Sequence, residues 1–298
     1  MVLSGYLFAK ITRKRPLNYV KFLRARAVRL LPLLLAVILI VVIIEYIKSG
    51  GLPALEKLRD SFYGILLPTL PNGGWSITVE FHFYLIFPMI LLMERNFPFS
   101  SLIFVFVGFL IRIGVLHYYG EAAVQDIAYW TIIGRIDQFI FGILTAYYLN
   151  SLSGRNWLAI VAGVSILFLY AAFDRLGGFY SNAEFPEIWI FLLTLEGICY
   201  SILIGWYDQS FRFKDTGFSG LIAKVGSASY SIYLLHVFFV FRIARLVNEY
   251  VISLDNFYVA FLACVICFLP VAGLSWLSYR YYELWWVRFR KPYIEKEI

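Results

Sequence analysis

Apolar residues along this chain come in long blocks separated by short polar stretches. Eight blocks run at about 28–47, 77–94, 99–118, 127–149, 156–173, 188–206, 227–247 and 257–279. Each is close to or above the ~18 residues that a helix needs to cross a hydrocarbon layer of about 30 Å. A further apolar stretch, Met1 to Ile11, is too short to span and has the pattern of the second half of a helix. The basic residues Lys10, Arg13, Lys14 and Arg15 follow its apolar part, the reverse of a secretory signal's layout. The pattern predicts an all-α, polytopic transmembrane helix bundle of about nine helices, eight full spans plus the N-terminal partial one. No Pro/Gly/Ser-rich linker, repeat or low-complexity tract divides it, so residues 1–298 are expected to form one domain. Its longest breaks are Lys48 to Gly74 and Asp174 to Glu187.

Composition strengthens this reading, because 61% of the residues are hydrophobic and only 15% charged. A soluble globule with that balance would expose far too much apolar surface. If every block crosses once, 18 of the 26 Lys and Arg fall on one side, four on the other and four inside the spans. The basic side is then cytoplasmic. The implied location is the inner (plasma) membrane, multi-pass, with a cytoplasmic C-terminus. The net charge of +7 is spread over several loops, as topology requires and nucleic-acid binding does not. Cys199, Cys264 and Cys267 all lie in apolar blocks without the partners of a zinc site, so no metal centre is expected.

Charged residues inside the blocks are the chemical signal. Each costs about 2.5 to 3.5 kcal/mol at mid-bilayer even on the lenient insertion scale. Glu80, Arg112, Arg135, Asp137, Arg242 and Arg245 fall in the outer halves of their spans under this topology, and Glu196 and His236 near the middle. They predict a polar pocket opening outward, or, residue by residue, ion pairs that hold the bundle together. Upstream of Glu80, Gly73 and Gly74 allow a tight turn, Trp75 suits a membrane interface and Ser76 can cap the helix that follows.

The run Trp75-Ser76-Ile77-Thr78-Val79-Glu80-Phe81-His82-Phe83-Tyr84-Leu85-Ile86-Phe87-Pro88 resembles the Trp-Ser-Leu-Ser-x-Glu-x-x-Phe-Tyr-Leu-x-x-Pro signature of the acyltransferase-3 family of integral membrane O-acyltransferases. Other segments agree in order. Val2 to Leu7 is similar to the family's Val-Leu-Ser-Gly-Phe-Leu, and Phe22 to Pro32, with Arg26 and Arg29, to its Arg-x-x-Arg helix entry. Gly134 to Phe139, with Gly142, resembles the Arg-x-Asp-x-Phe...Gly helix. Ser229 to His236 is similar to Ser-Tyr-x-x-Tyr-Leu-x-His, and Tyr279 to Glu283 to the closing Tyr-Arg-x-x-Glu.

The resemblance implies transfer of an acyl group, usually acetyl, from acyl-CoA to a hydroxyl of an envelope carbohydrate such as a lipopolysaccharide, capsule or exopolysaccharide. The implied partners are acyl-CoA, a carbohydrate or glycolipid acceptor and the lipid bilayer. No cofactor is expected to be bound permanently, acyl-CoA being the donor substrate. Arg26 and Arg29, one turn apart, are the candidates for gripping its phosphates, or are plain positive-inside anchors. Glu80 and His236 are the catalytic candidates, with Trp75, Ser76, Tyr84, Arg135 and Asp137 on the acceptor side. Glu80 and Tyr84 share a helical face. A helix-to-helix hydrogen bond is the other role open to His236.

The match also has a departure. Family members have ten helices, the first carrying an Arg and, about three turns later, the His regarded as the base. Neither stands in this sequence. A truncated member, a start codon placed too far downstream and a degenerate paralogue are the readings of that deficit, and a non-catalytic relative that binds or moves an envelope lipid or sugar is the alternative function.

Overall fold

The structure is a computed structural model. It describes every residue except Lys14, Asp174, Leu176, Gly177, 179–184, Phe213, Asp215, Lys291 and 293–298, and the side chains of Glu121 and Phe257. Three of the basic residues counted for topology, Lys14, Lys291 and Lys296, and the C-terminus Ile298, therefore lie outside the described residues, as does part of the expected Asp174 to Glu187 break.

Helices follow the apolar blocks. They are α1 (Val2–Thr12), α2 (Tyr19–Ser49), α3 (Gly51–Tyr63), α4 (Trp75–Asn96), α5 (Leu102–Tyr119), α6 (Glu121–Trp130), α7 (Ile132–Tyr148), α8 (Asn156–Ala171), α9 (Leu192–Ser210), α10 (Gly217–Ser227), α11 (Ser229–Tyr250), α12 (Phe257–Ser278) and the short α13 (Leu284–Val287). Among the described residues, five segments are long and apolar enough to cross a membrane: α2, α4, α5, α11 and Tyr258–Val287. The pair α6 and α7, bent by 45° at its break, would be a sixth. The remaining two blocks form the 16-residue α8 and the 19-residue α9, which carries Glu196 and Asp208. The chain is therefore a polytopic helical membrane protein.

The Lys48 to Gly74 break between spans contains α3, a helix whose apolar and charged residues are segregated by face, so it forms no continuous apolar run.

The helices gather into two compact units, each described by itself. The first comprises Met1–Asn18 and Ser76–Arg212. Its tightest contact is α1 against α7, where glycines let two backbones meet. A Cβ on Gly5 would overlap the Phe139 carbonyl, and one on Gly142 the Val2 carbonyl. Phe83 of α4 stacks on Phe139 of α7 at 3.9 Å. At one end of α4, buried Glu94 accepts from the amides of Phe99 (2.7 Å) and Ser101 (3.0 Å) and from the Tyr148 hydroxyl, joining α4, α5 and α7.

The second unit comprises Tyr19–Trp75 and Phe213–Tyr293. Here α2 packs with α3, and α11 with α12. Proline lies inside α2 at Pro32 and inside α12 at Pro270, and both helices continue past it, as membrane helices tolerate. Beside Pro32 two phenols tie other segments to α2: Tyr230 donates to the Leu30 carbonyl at 2.6 Å, and Tyr282 to the Pro32 carbonyl at 3.1 Å.

Candidate functional site

In the first unit, Glu80 sits one turn inside α4, half-buried. Its Oε1 accepts from Ser4 Oγ at 3.0 Å and its Oε2 from the Tyr84 hydroxyl at 2.5 Å. The second bond is the i, i+4 relation that the helix period predicts. The first joins the Val2 to Leu7 segment to the Trp75 to Pro88 segment. A carboxylate already accepting two hydroxyls can accept a third, because each oxygen carries two lone pairs.

Arg135 and Asp137 stand on α7 but do not pair with each other. Arg135 donates through Nε to the Tyr129 carbonyl (3.0 Å) and reaches Glu196 at 3.5 Å, with its guanidinium 4.5 Å from the Tyr129 ring centre. Glu196 also accepts from Gln138 (2.8 Å) and Tyr170 (3.3 Å). Asp137 instead meets Arg112 at 2.7 Å, with both side chains wholly buried, and accepts a further bond from Thr194. Asp137 and Arg112 form a closed ion pair which, with Thr194, links α5, α7 and α9. Arg135 and Glu196 remain at a half-open cluster, where Glu196 is 21% exposed.

The second unit holds Trp75, Arg26, Arg29 and His236. Arg26 is buried against Phe22, its guanidinium 5.7 Å from the ring centre. Arg29 lies within electrostatic reach of Glu283. That carboxylate closes the Tyr279 to Glu283 segment, more than two hundred residues away along the chain. His236 Nδ1 contacts the Tyr233 carbonyl of its own helix at 2.5 Å. That contact selects the tautomer with Nδ1 protonated and leaves Nε2 to accept. The imidazole lines an apolar slot of about 400 Å³ between α11 and α12, shared with Val240, Ala260, Cys264 and Cys267.

The other segments of the second unit are interlocked. Buried Ser231 donates to Glu283 on the turn of π-helix that follows α12, and meets Ser278 at 3.1 Å. Tyr233 donates to the Gly73 carbonyl, and Asn72 to the Leu234 carbonyl at 3.1 Å. Asn72 and Gly73 both have positive φ, 55° and 71°. The turn that leads into α4 is thus a left-handed one held by α11, and its glycine meets the conformational need read from the sequence. Among the described residues, no group of three or more His, Cys, Asp or Glu is placed to hold a metal ion.

The six segments that resemble one family thus fall into two sets, each joined by its own contacts within one unit. The chain matches the family of acyltransferase domains known as acyltransferase-3 over residues 1–280, and it belongs to that family. No curated protein and no solved structure matches it. The chain is accordingly a membrane acyltransferase domain.

Proposed function

We propose that the protein transfers an acyl group, acetyl in the simplest case, from acyl-CoA to a hydroxyl of an envelope carbohydrate, and that it resides in the plasma membrane with its basic side cytoplasmic. The observation that carries this reading is the Glu80 site within a chain of the acyltransferase-3 family: a half-buried carboxylate, fixed by Ser4 and Tyr84, with acceptor capacity left for an incoming hydroxyl. In the reaction the acceptor oxygen attacks the thioester carbonyl carbon, the C–S bond breaks, and the hydroxyl proton passes through a base to the departing thiolate. Glu80 and His236 are the candidates for taking that proton. Arg135, Trp75, Ser76 and Tyr84 orient the acceptor, while Arg26 and Arg29 hold the donor's phosphates by charge-assisted contacts.

The test is acceptor-dependent release of coenzyme A from acetyl-CoA by purified protein. A base is worth roughly 10² to 10⁴-fold, so turnover should fall by a factor in that range in Glu80→Gln if Glu80 is the base. No coenzyme A release with any carbohydrate acceptor would remove the enzymatic reading in favour of a non-catalytic relative. Reporter fusions give the orientation: one after Ile298 should read cytoplasmic and one near Lys57 external.

A further inference from the structure

Three helices of the first unit, α1, α7 and α9, end around one cavity of about 730 Å³, the size of a small-ligand site. Lys10, Arg13 and Arg15 line it with Asp208, between apolar walls that include Leu7, Ile11 and Leu149. Helix C-termini are an unfavourable place for an anion, each carrying about half a negative charge, so the cations must first offset three such ends. Much of that is done by other groups. Arg95 donates to the Thr12 carbonyl and, at 2.8 Å, to the Arg15 carbonyl, while neutral Gln209 donates to the Leu149 carbonyl. Lys10 is balanced by Asp208 at 2.5 Å, where Tyr6 also donates at 2.7 Å. Arg13 is partly engaged, its Nη1 meeting the Ala146 carbonyl at 3.2 Å and Asn150 at 3.4 Å. What remains is positive: the lining side chains carry a formal charge of +2, three Lys/Arg against one Asp, with Arg95 beside them. Caps alone would need neither the open volume nor the exposed Arg15.

We infer that this cavity is a phosphate-ester site, taking a ligand whose phosphate meets Arg13 and Arg15 and whose apolar part lies along Leu7, Ile11 and Leu149. Coenzyme A and the headgroup of an anionic phospholipid both offer that chemistry. The inference does not rest on acyl transfer. It is distinct from the assignment of Arg26 and Arg29, which belong to the other unit.

Two binding measurements on the full chain test it. One is titration of the detergent-purified protein with coenzyme A. The other is retention of phosphatidylglycerol against phosphatidylcholine after extraction from vesicles of the two lipids. Arg13→Gln with Arg15→Gln should weaken binding by about tenfold or more, as expected for lost charge-assisted contacts. Arg15→Gln alone, which leaves the α7 contacts of Arg13 intact, should give part of the loss. Asp208→Asn should tighten binding by raising the cavity's charge. An effect on coenzyme A alone identifies a nucleotide site, and an effect on phosphatidylglycerol alone a headgroup site. The inference is overturned if neither ligand responds to Arg15→Gln and Asp208→Asn in protein whose melting temperature is unchanged, and equally if Asp208→Asn weakens both.

Discussion

The first unit, built from Met1–Asn18 and Ser76–Arg212, sets charge against charge inside its helices, as Arg112 with Asp137 and Arg135 with Glu196. The second, from Tyr19–Trp75 and Phe213–Tyr293, relies mainly on hydroxyls and amides aimed at backbone carbonyls: Tyr230, Tyr282, Tyr233 and Asn72. In a low-dielectric medium these are different strategies. A buried charge is tolerable only with its partner, so an ion pair makes a unit all-or-none, whereas a hydroxyl bond can be lost with little penalty because alternative partners are close by. The first unit should therefore be brittle towards single substitutions and the second forgiving.

The largest expected effect is at the buried pair. Arg112→Ala or Asp137→Ala strands one charge and should cost about 3 to 5 kcal/mol, seen as loss of folded protein in a thermal or SDS-unfolding assay in detergent. The double replacement Arg112→Met with Asp137→Leu should recover most of that loss. If it is as damaging as either single change, the pair is not what makes this unit brittle.

Next comes the α1–α7 contact. Gly142→Leu places a side chain where the Val2 carbonyl stands, and the shift it forces should cost roughly 1 to 3 kcal/mol. Among the described residues nothing lies within 4 Å of where a Cβ on Gly163, in α8, would stand, so Gly163→Ala should be nearly neutral there. Equal melting temperatures for the two variants would contradict the close backbone approach.

In the second unit, Ser231→Ala removes the hydroxyl bonded to Glu283, in a setting where interhelical hydrogen bonds average about 0.6 kcal/mol and reach ~1.7. A loss matching that of Arg112→Ala would erase the proposed contrast between the units.

How much of this was legible beforehand follows the same division. Helix positions were, because a run of apolar residues long enough to cross lipid has few other solutions, as α2, α4 and α5 show. The segregated faces of α3 carried no such signature. At the site, the relation of Glu80 to Tyr84 was legible because it lies within one helix period. The links of Glu80 to Ser4, Asp137 to Arg112 and Arg29 to Glu283 were not, because they join residues 25 or more apart, at separations that no local pattern encodes. Glu94 was missed for a related reason: its partners are two backbone amides and a tyrosine, none of which marks a charge partner in a sequence.

The smallest expected effect isolates the medium from the chemistry. Lys10 and Asp208 form an ion pair of almost the same length as Arg112 and Asp137, 2.5 against 2.7 Å, and lie in the same unit. Their side chains, however, are 50% and 36% exposed, whereas those of the buried pair are wholly enclosed. Water and salt screen the exposed pair, and two long side chains lose freedom in forming it, so Lys10→Ala should change stability by less than about 1 kcal/mol. The deletion leaves Asp208 with the Tyr6 hydroxyl and access to water, so no charge is stranded. A double-mutant cycle across Lys10 and Asp208 should accordingly give a coupling that shrinks as salt is raised, while the cycle across Arg112 and Asp137 gives one that does not. Equal couplings with equal salt dependence would mean that burial does not govern these pairs, and the brittleness assigned to the first unit would need another cause.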